Sequence, residues 1–295
     1  MKKTLFLVAP LALAACIACG KAEKTAPVAA VSSPLEGTVT FLTGNVTING
    51  ASAVPGMKIR TEDVIETGEK SAAIVQFAES SMLQIKSRTS MSIDRLDRTD
   101  RDVIALSQTK GECFNKIVKG KAEYSVRSKT CVAAVRGTAF LFCTTPEGDS
   151  DVSLLHGSVH ISNQLKSSDV ALLEENKRIS LSGGKLSPQT KLTSAEISDL
   201  AALDSIGFLS VDELEKGPQS KVDDTRRETL TTDNDQRSIQ YLRLKYGKLS
   251  VITTADGKTF IGQFRQTGKT IEITTAYGKE SISSSKITKI APYTK

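Results

Sequence analysis

The chain has 295 residues, of which 39 are Lys or Arg and 33 are Asp or Glu, so its formal net charge is +6. A chain of this length usually forms one to three domains. Beyond the N-terminus no apolar stretch reaches the ~18 residues of a membrane-spanning helix. The cysteines beyond the N-terminal region and the two histidines lack metal-ligand spacing, so we predict no metal site.

The first residues, MKKTLFLVAPLALAACIACG, have the layout of a secretory signal. Lys2 and Lys3 precede a short apolar run, and small residues lead directly to Cys16. The residues LAAC resemble the lipobox of bacterial lipoproteins, which implies cleavage before Cys16 and its acylation. We therefore predict a signal peptide over 1–15, lipid attachment to a membrane at Cys16, and a flexible tether over 16–34. An ordinary signal peptide with a chance cysteine is the alternative.

The residues after Cys16 bear on the location of the protein. Ile17 and Ala18 follow, and the second position is therefore not aspartate. In many Gram-negative bacteria, the resemblance to lipoprotein sorting signals then implies the outer membrane, facing the periplasm. Retention at the inner membrane and exposure at the cell surface are the alternatives. In a host with one membrane, the same anchor implies its outer face.

Residues 35–165 are dense in short strand patterns separated by glycine and polar turns. In GTVTFLTGNVTING, two alternating runs flank Gly44 and Asn45, which predicts a hairpin or one coil of a repeating β structure. The runs AAIVQF, LQIKS, MSIDRL, AEYSVRS, DVSLLHG and SVHISN follow at short spacing. The predicted fold is mainly β, with a β-sandwich or solenoid-like domain here. No fixed repeat period is present.

The order of four segments in this region resembles that of a known family. They are GTVTFLTGNVTING, PGMKIRTEDVIETGEKSAAIVQFAESSMLQI, AAVRGTAF and VSLLHGSVHI. In this order they resemble the FecR domain family. Asp63, Thr67 and Gly68 match a Gly-Asp-x-Ile-x-Thr-Gly-like step, although Glu62 stands where glycine is usual. The resemblance implies a FecR-like β domain over about 35–165.

The most specific segment is Val135-Arg136-Gly137-Thr138. An arginine in an apolar run is costly to bury unless it is paired, and its guanidinium can fork onto a carboxylate or onto backbone carbonyls. The acidic residues that could accept are Asp63, Glu66 and Glu112. Gly137 permits a close approach or a positive φ, and Thr138 can satisfy a neighbouring backbone group. We predict that Arg136, Gly137, Thr138 and Asp63 form a structural motif; a ligand-binding cation is the alternative for Arg136.

Three cysteines lie beyond the N-terminal region. An oxidising envelope would permit one disulfide among Cys113, Cys131 and Cys143, and the sequence leaves the pairing open. On one straight strand Cys131 and Cys143 would lie roughly 40 Å apart. These two could pair only if the chain folds back at Arg136 and Gly137.

Residues 166–247 differ in composition. Between 170 and 235 there are 13 acidic and 8 basic residues, and we predict an acidic, partly helical linker. Thr193 with Glu196 forms a candidate capping box. SVDELEKGP is a second short helix that Gly217 and Pro218 end, and the polar VDDTRRETLTTDNDQRS is a solvated helix or linker.

Residues 248–295 form a second β block. Turns at Asp256-Gly257, Thr267-Gly268 and Tyr277-Gly278 separate short strands, which resembles a small SH3-like or Sm-like barrel. Phe260 and Phe264 are predicted to pack inside it. From residue 236 onwards there are 11 basic and 3 acidic residues. After a secretion signal this charge points to anionic envelope polymers or lipid headgroups, or only to a solvated surface, and no nucleic-acid partner is expected.

The sequence offers no positive argument for an enzyme or a cofactor. His156 and His160 would share a face on one strand, but no local carboxylate or nucleophile completes a catalytic set. Cys113 lacks an adjacent histidine or a CxxC motif. A phosphate loop and a GxSxG motif are both missing from the sequence.

Three functions follow from these features. The first is a non-enzymatic envelope lipoprotein whose FecR-like domain binds a protein or a cell-wall partner. The second is a periplasmic sensor or regulatory subunit of an envelope signalling system. The FecR family proper implies a sigma-factor-binding segment and a transmembrane helix, which we do not find in this sequence, so that exact role does not carry over. The third is an enzyme that acts on cell-wall polymer, which the sequence favours least.

Overall fold

The structure, a computed structural model, describes residues 33–231, 239, 242–243, 246–275 and 278–294. The predicted signal peptide, Cys16 and the predicted tether up to residue 32 lie outside the described residues. Within those ranges, no helix combines the length and apolarity that a membrane crossing requires.

Short strands make up the chain from residue 33 to residue 191. In order they are β1 (Ser33–Pro34), β2 (Gly37–Thr43), β3 (Val46–Ile48), β4 (Ala51–Ser52), β5 (Lys58–Ile59), β6 (Val64–Thr67), β7 (Ala72–Phe77), β8 (Ser81–Ile85), β9 (Ser90–Arg98), β10 (Asp102–Ile117), β11 (Ala122–Arg127), β12 (Cys131–Val135), β13 (Ala139–Thr144), β14 (Ser150–His156), β15 (Val159–Asn163), β16 (Val170–Leu173), β17 (Lys177–Ser182), β18 (Lys185–Leu186) and β19 (Thr190–Lys191).

These strands are hydrogen-bonded into two sheets that are joined through strand β10. Sheet A contains β1, β3, β4, β6, β9, β11, β12, β15, β16 and the first part of β10. Sheet B contains β2, β5, β7, β8, β13, β14, β17, β18, β19 and the second part of β10. Their inner faces enclose one apolar core that includes Phe77, Phe140 and Phe142. The predicted mainly β, sandwich-like fold is confirmed.

Strand β10 is shared by the two sheets. Its first part pairs with β9 and β11, and from Gly111 onwards it pairs with β8 and β13. Gly111 has φ +94°, and a Cβ there would lie 2.4 Å from Thr89 Cα, so the crossing requires glycine. The chain then returns so that β11 runs parallel to the first part of β10. This return is the solenoid-like element of the fold.

The Gly44-Asn45 segment is one such crossing rather than a hairpin. Strand β2, before it, belongs to sheet B, and β3, after it, belongs to sheet A. Of the two predicted structures, the coil is the one that forms.

The strands continue past residue 165, where the sequence predicted the start of the linker. Strand β16 pairs with β15, and β17 pairs with β14, so the β domain extends to Lys191. These late strands are short and mostly half-buried or exposed. Their apolar alternation is therefore weak in the sequence.

The next helices along the chain are α1 (Ser194–Asp204), α2 (Val211–Lys216) and α3 (Asp224–Thr231). The predicted capping box at Thr193 and Glu196 is confirmed, since Glu196 N donates to Thr193 Oγ1 while the Glu196 carboxylate accepts from Thr193 N. Helix α2 carries the same arrangement at Ser210 and ends at Gly217 in the left-handed conformation, as predicted.

The helices pack on the outer face of sheet B. Leu200, Leu203 and Leu230 join a second apolar core with Ile74 and Phe114 from the sheet. The predicted linker is therefore, in this region, a packed layer. A mainly acidic composition does not prevent this, because few buried leucines suffice to hold short helices on an apolar sheet.

The remaining strands are β20 (Ser250–Thr254), β21 (Thr259–Thr267), β22 (Thr270–Thr275), β23 (Gly278–Ser283) and β24 (Ile287–Pro292), with a 3₁₀ turn at Ser284–Lys286. They form a five-stranded antiparallel sheet of order β23-β22-β21-β20-β24. Among the described residues its outer strands do not pair with each other, so the finding is a sheet where a small barrel was predicted. Phe260 and Phe264 pack against its apolar core as predicted, and Tyr277 lies outside the described residues.

Candidate functional site: an open sheet face beside Arg136

Arg136 lies where the chain crosses from sheet A to sheet B. Strand β12 ends at Val135, and β13 begins at Ala139 in the other sheet. The Arg136 side chain is exposed, and its guanidinium has no hydrogen-bond or ion-pair partner within the described part of the chain. The predicted buried and paired arginine is therefore wrong, because the apolar run around it belongs to two strands rather than one.

The three acidic residues considered as its partners have other surroundings. Asp63 accepts hydrogen bonds from the backbone N of Arg60 and from Asn49 Nδ2, both at 2.7 Å, and so holds the turn before β6. Glu112 forms a buried ion pair with Lys86 at 3.3 Å. The third, Glu66, is exposed on β6. None of the three binds Arg136.

Glu62, which stands where the family usually has glycine, adopts φ +73°. This is the left-handed region that glycine enters without steric cost. The preference for glycine at this step therefore has a backbone cause, and the side chain present here is accommodated because Glu62 is exposed.

Gly137 and Thr138 have structural surroundings. Gly137 adopts φ +88°, and a Cβ there would lie 2.4 Å from Lys119 Cα. Thr138 Oγ1 donates to Ser158 O at 3.0 Å. A Cβ on Gly157 would lie 2.7 Å from Gly137 O. The segments AAVRGTAF and VSLLHGSVHI thus pack against each other where each crosses from one sheet to the other.

The two histidines do not form a pair on one strand. His156 ends β14 in sheet B, whereas His160 lies on β15 in sheet A. His156 Nε2 lies 3.3 Å from Asp204 Oδ2 at the end of helix α1. Asp204 Oδ1 in turn lies 3.5 Å from Lys116 Nζ. This cluster ties α1 to sheet B.

No disulfide joins Cys113, Cys131 and Cys143, so the predicted candidate disulfide is absent from the structure. Cys113 lies opposite Phe142 on β13, and Cys143 lies opposite Glu112, so the two thiols point to opposite faces of sheet B. Cys131 lies on β12 in sheet A. The chain does cross at Gly137, but the crossing separates the cysteines between two sheets.

Two of these thiols are expected to be inert in the folded protein. Burial raises the pKa of both Cys113 and Cys131 to about 12. Because the thiolate is the reactive form, neither should be labelled by a thiol reagent at pH 8, and raising the pH to 9 should not change this. Mass mapping after labelling, with and without guanidinium, checks the expectation. Labelling of Cys113 in the folded chain at a rate near that of the unfolded chain would contradict it.

The outer face of sheet A differs from that of sheet B because it is not buried. Across five neighbouring strands, Ala105, Ser125, Ala134, His160 and Leu172 lie opposite one another in one row. All five are exposed or half-buried. We call this row and the next one the open face.

The second row of the open face consists of Ser107, Arg127, Val132, Ser162 and Val170. Arg127 is paired with Asp94 at 2.8 Å. Most of the other side chains are small or apolar, so these two rows offer little charge of their own. Arg136 lies two residues beyond Ala134 and supplies a free cation beside it.

The open face suits protein contact better than chemistry. Small side chains on a rigid sheet permit close approach, and a cation at the margin favours an acidic partner. Among the described residues there is no group of three or more His, Cys, Asp and Glu side chains that could hold a metal.

Comparison with known proteins bears on this region. Residues 63–160 match the model of the FecR protein family. The match confirms the predicted FecR-like domain, although the first quoted segment, at residues 37–50, lies before it. No curated protein matches the chain in sequence.

The chain also has structural neighbours. Two crystal structures of a candidate anti-sigma factor from Parabacteroides distasonis ATCC 8503 are similar to it, each with 13% sequence identity and a TM-score of 0.40. In both cases the alignment covers 70% of this chain and 96% of the other.

Sequence reasoning missed the packed helices. Gln76 and Gln84 are fully buried on the outer face of sheet B. The Gln76 amide donates to Leu209 O at 2.7 Å and accepts from Leu209 N at 2.9 Å, while Gln84 Nε2 donates to Leu203 O at 2.9 Å. A signal was present, because AAIVQF is a nearly continuous apolar run and such runs are typical of strands buried on both faces.

Proposed function

We propose that the chain is a sensor or regulatory subunit of an envelope signalling system, and that its FecR-like domain acts by contacting another protein. The observation that carries the proposal is the exposed, unpaired guanidinium of Arg136 beside the open face. The family match supports regulation over a general binding role, because the FecR family consists of envelope-associated regulators.

The proposal includes a lipid anchor at Cys16 and a periplasmic location. The support for both is the lipobox-like LAAC and the residues that follow it. A membrane anchor would confine the open face to a layer near the membrane, where an envelope partner would meet it at high local concentration.

The proposed activity is binding rather than catalysis. The separation of His156 and His160 between two sheets removes the histidine pair that the sequence offered for chemistry. A cell-wall polymer as partner is the competing hypothesis, and the free Arg136 is also compatible with an anionic polymer.

Three variants test the proposal in the host cell. The wild-type chain, Arg136→Glu and Cys16→Ala are each returned to a strain that lacks the chain, and transcripts are measured with the protein level in membranes. We expect Arg136→Glu to be present at the wild-type level but to lose most of the regulated transcript change, because it reverses a charge at the contact. Cys16→Ala should lose the acyl mass and membrane retention.

A matched control is Lys110→Glu, which reverses another exposed charge, on β10 and away from the β12–β13 crossing. It should behave like the wild type. A transcript profile that does not change when the chain is removed would contradict a regulatory function. Binding to purified cell wall that Arg136→Glu abolishes would favour the polymer hypothesis instead.

A further inference from the structure

Exposed apolar side chains gather at one edge of sheet A. Leu165, Val170 and Leu172 are 64%, 65% and 51% exposed. Val170 and Leu172 lie on β16, which, among the strands of the described ranges, pairs with β15 alone. Apolar residues on an open strand edge are ordinarily avoided, because such an edge can pair with another chain.

A side-chain amide already occupies part of this edge. Gln189 Nε2 donates to Leu172 O at 2.8 Å, and Gln189 Oε1 accepts from Glu174 N at 3.3 Å. One residue of a neighbouring parallel strand would satisfy the same two backbone groups. The outer edge of β16 therefore accepts an amide group in the way that a strand ladder does.

Charged side chains surround the edge. Glu174 is paired with Lys177 at 2.6 Å, and Asp169 accepts from Asn163 Nδ2 at 3.2 Å. The ammonium groups of Lys166 and Lys185 are exposed, and within the described ranges neither has a carboxylate partner. The rim of the edge thus carries two exposed ammonium groups without a carboxylate partner, although the Asp169 carboxylate, which accepts only from neutral amides, lies between them and the strand.

The two lysines flank the apolar side chains. Lys166 follows Leu165 directly, and a Cβ on Gly184, next to Lys185, would lie 3.5 Å from Leu165 Cδ1. Asn163 Nδ2 also donates to Gly184 O at 2.9 Å, which holds the two loops together. The apolar residues and the free cations therefore form one surface.

From this geometry we propose that β16 is a docking edge for an extended segment of a partner protein. The segment adds as a strand, places apolar side chains at alternate positions beside Val170 and Leu172, and carries acidic residues that reach Lys166 and Lys185. The inference rests on the proposed function, since it names the chemistry of the partner that such a regulator contacts.

The same surface could in principle meet an anionic membrane. A bilayer leaves the outward N–H and C=O groups of a strand edge without partners, which costs free energy, whereas an added strand satisfies them. The structure therefore favours a polypeptide, and a membrane is one outcome of the test.

The test uses the full chain and a fluorescein-labelled peptide in which valine and threonine alternate between pairs of glutamates. Fluorescence anisotropy should show saturable binding that weakens as salt rises. The double variant Val170→Glu with Leu172→Glu should bind at least about tenfold more weakly, and so should Lys166→Glu with Lys185→Glu. Circular dichroism and thermal unfolding establish that each variant is folded.

Two further variants sharpen the result. Val54→Glu alters an apolar residue that is 57% exposed in a different loop, and it should leave the affinity unchanged. Gln189→Ala removes the amide that competes for the edge, so it should tighten binding about threefold, which a purely structural role would not do.

Absence of saturable binding would overturn the inference, as would equal affinity in the wild type and the folded Val170→Glu, Leu172→Glu variant. Binding to vesicles of phosphatidylcholine with phosphatidylglycerol, without binding to the peptide, would assign the surface to the membrane. If the peptide fails to bind while Arg136→Glu still abolishes regulation, the docking edge is wrong and the proposed function stands.

Discussion

Replacing Gly137 with alanine is expected to lower the free energy of unfolding by about 2–5 kcal/mol. Gly137 adopts φ +88°, where a Cβ is disfavoured, and the added methyl group would lie 2.4 Å from Lys119 Cα. Because the obstructing atom belongs to the backbone, relief requires movement of a whole loop. Urea unfolding followed by circular dichroism measures the change.

Arg136→Ala is the matched control for this experiment. Arg136 is exposed and has no partner within the described residues, so its removal should change the free energy of unfolding by less than about 0.5 kcal/mol. The two adjacent residues are thus expected to have different roles: Gly137 is needed for stability, and Arg136 for contact with a partner. Equal loss of stability in both variants would contradict this division.

Leu203→Ala should also destabilise the FecR-like domain, by about 2–5 kcal/mol. Leu203 is 2% exposed at the end of helix α1, in the core that α1 forms with the outer face of sheet B. If the helical segment were only a linker, this substitution would leave the unfolding of the β domain unchanged. Denaturant unfolding monitored through the β signal distinguishes the two cases.

Ser198→Ala, on the exposed side of the same helix, provides the control. It keeps the helix and leaves the buried leucines in place, so the midpoint of unfolding should stay near that of the wild type. A Leu203→Ala chain that unfolds at the wild-type midpoint would show that the helices contribute nothing to the stability of sheet B.

Local signals were read correctly from the sequence. The capping box at Thr193 and the glycine stop at Gly217 depend on residues three to seven positions apart, and the structure has both. The presence of the strands could be predicted equally well, since the alternation of apolar and polar residues within six residues is a local property.

Features that depend on contacts between distant parts of the chain could not be predicted from the sequence. The burial expected for Arg136 assumed one strand through CVAAVRGTAFLFC, whereas a sheet crossing puts this residue outside. The docking of Leu209 on Gln76 joins residues 133 positions apart through a backbone amide. Every residue other than proline has the same backbone N–H and C=O groups, so no pattern of side chains in the sequence could predict that contact. The open edge of β16 is likewise a property of the tertiary structure, because it depends on no other described strand pairing there.

Strand β10 couples the stabilities of the two sheets. Strand β10 supplies hydrogen bonds to both sheets along a single unbroken stretch of backbone, so opening either sheet disturbs the other, and the two form one cooperative unit of unfolding. A partner held on sheet A would raise the free energy needed to open sheet B and release the helices that cover it. Binding of a partner to sheet A would thereby change the rigidity of sheet B and its helices without a change of their structure.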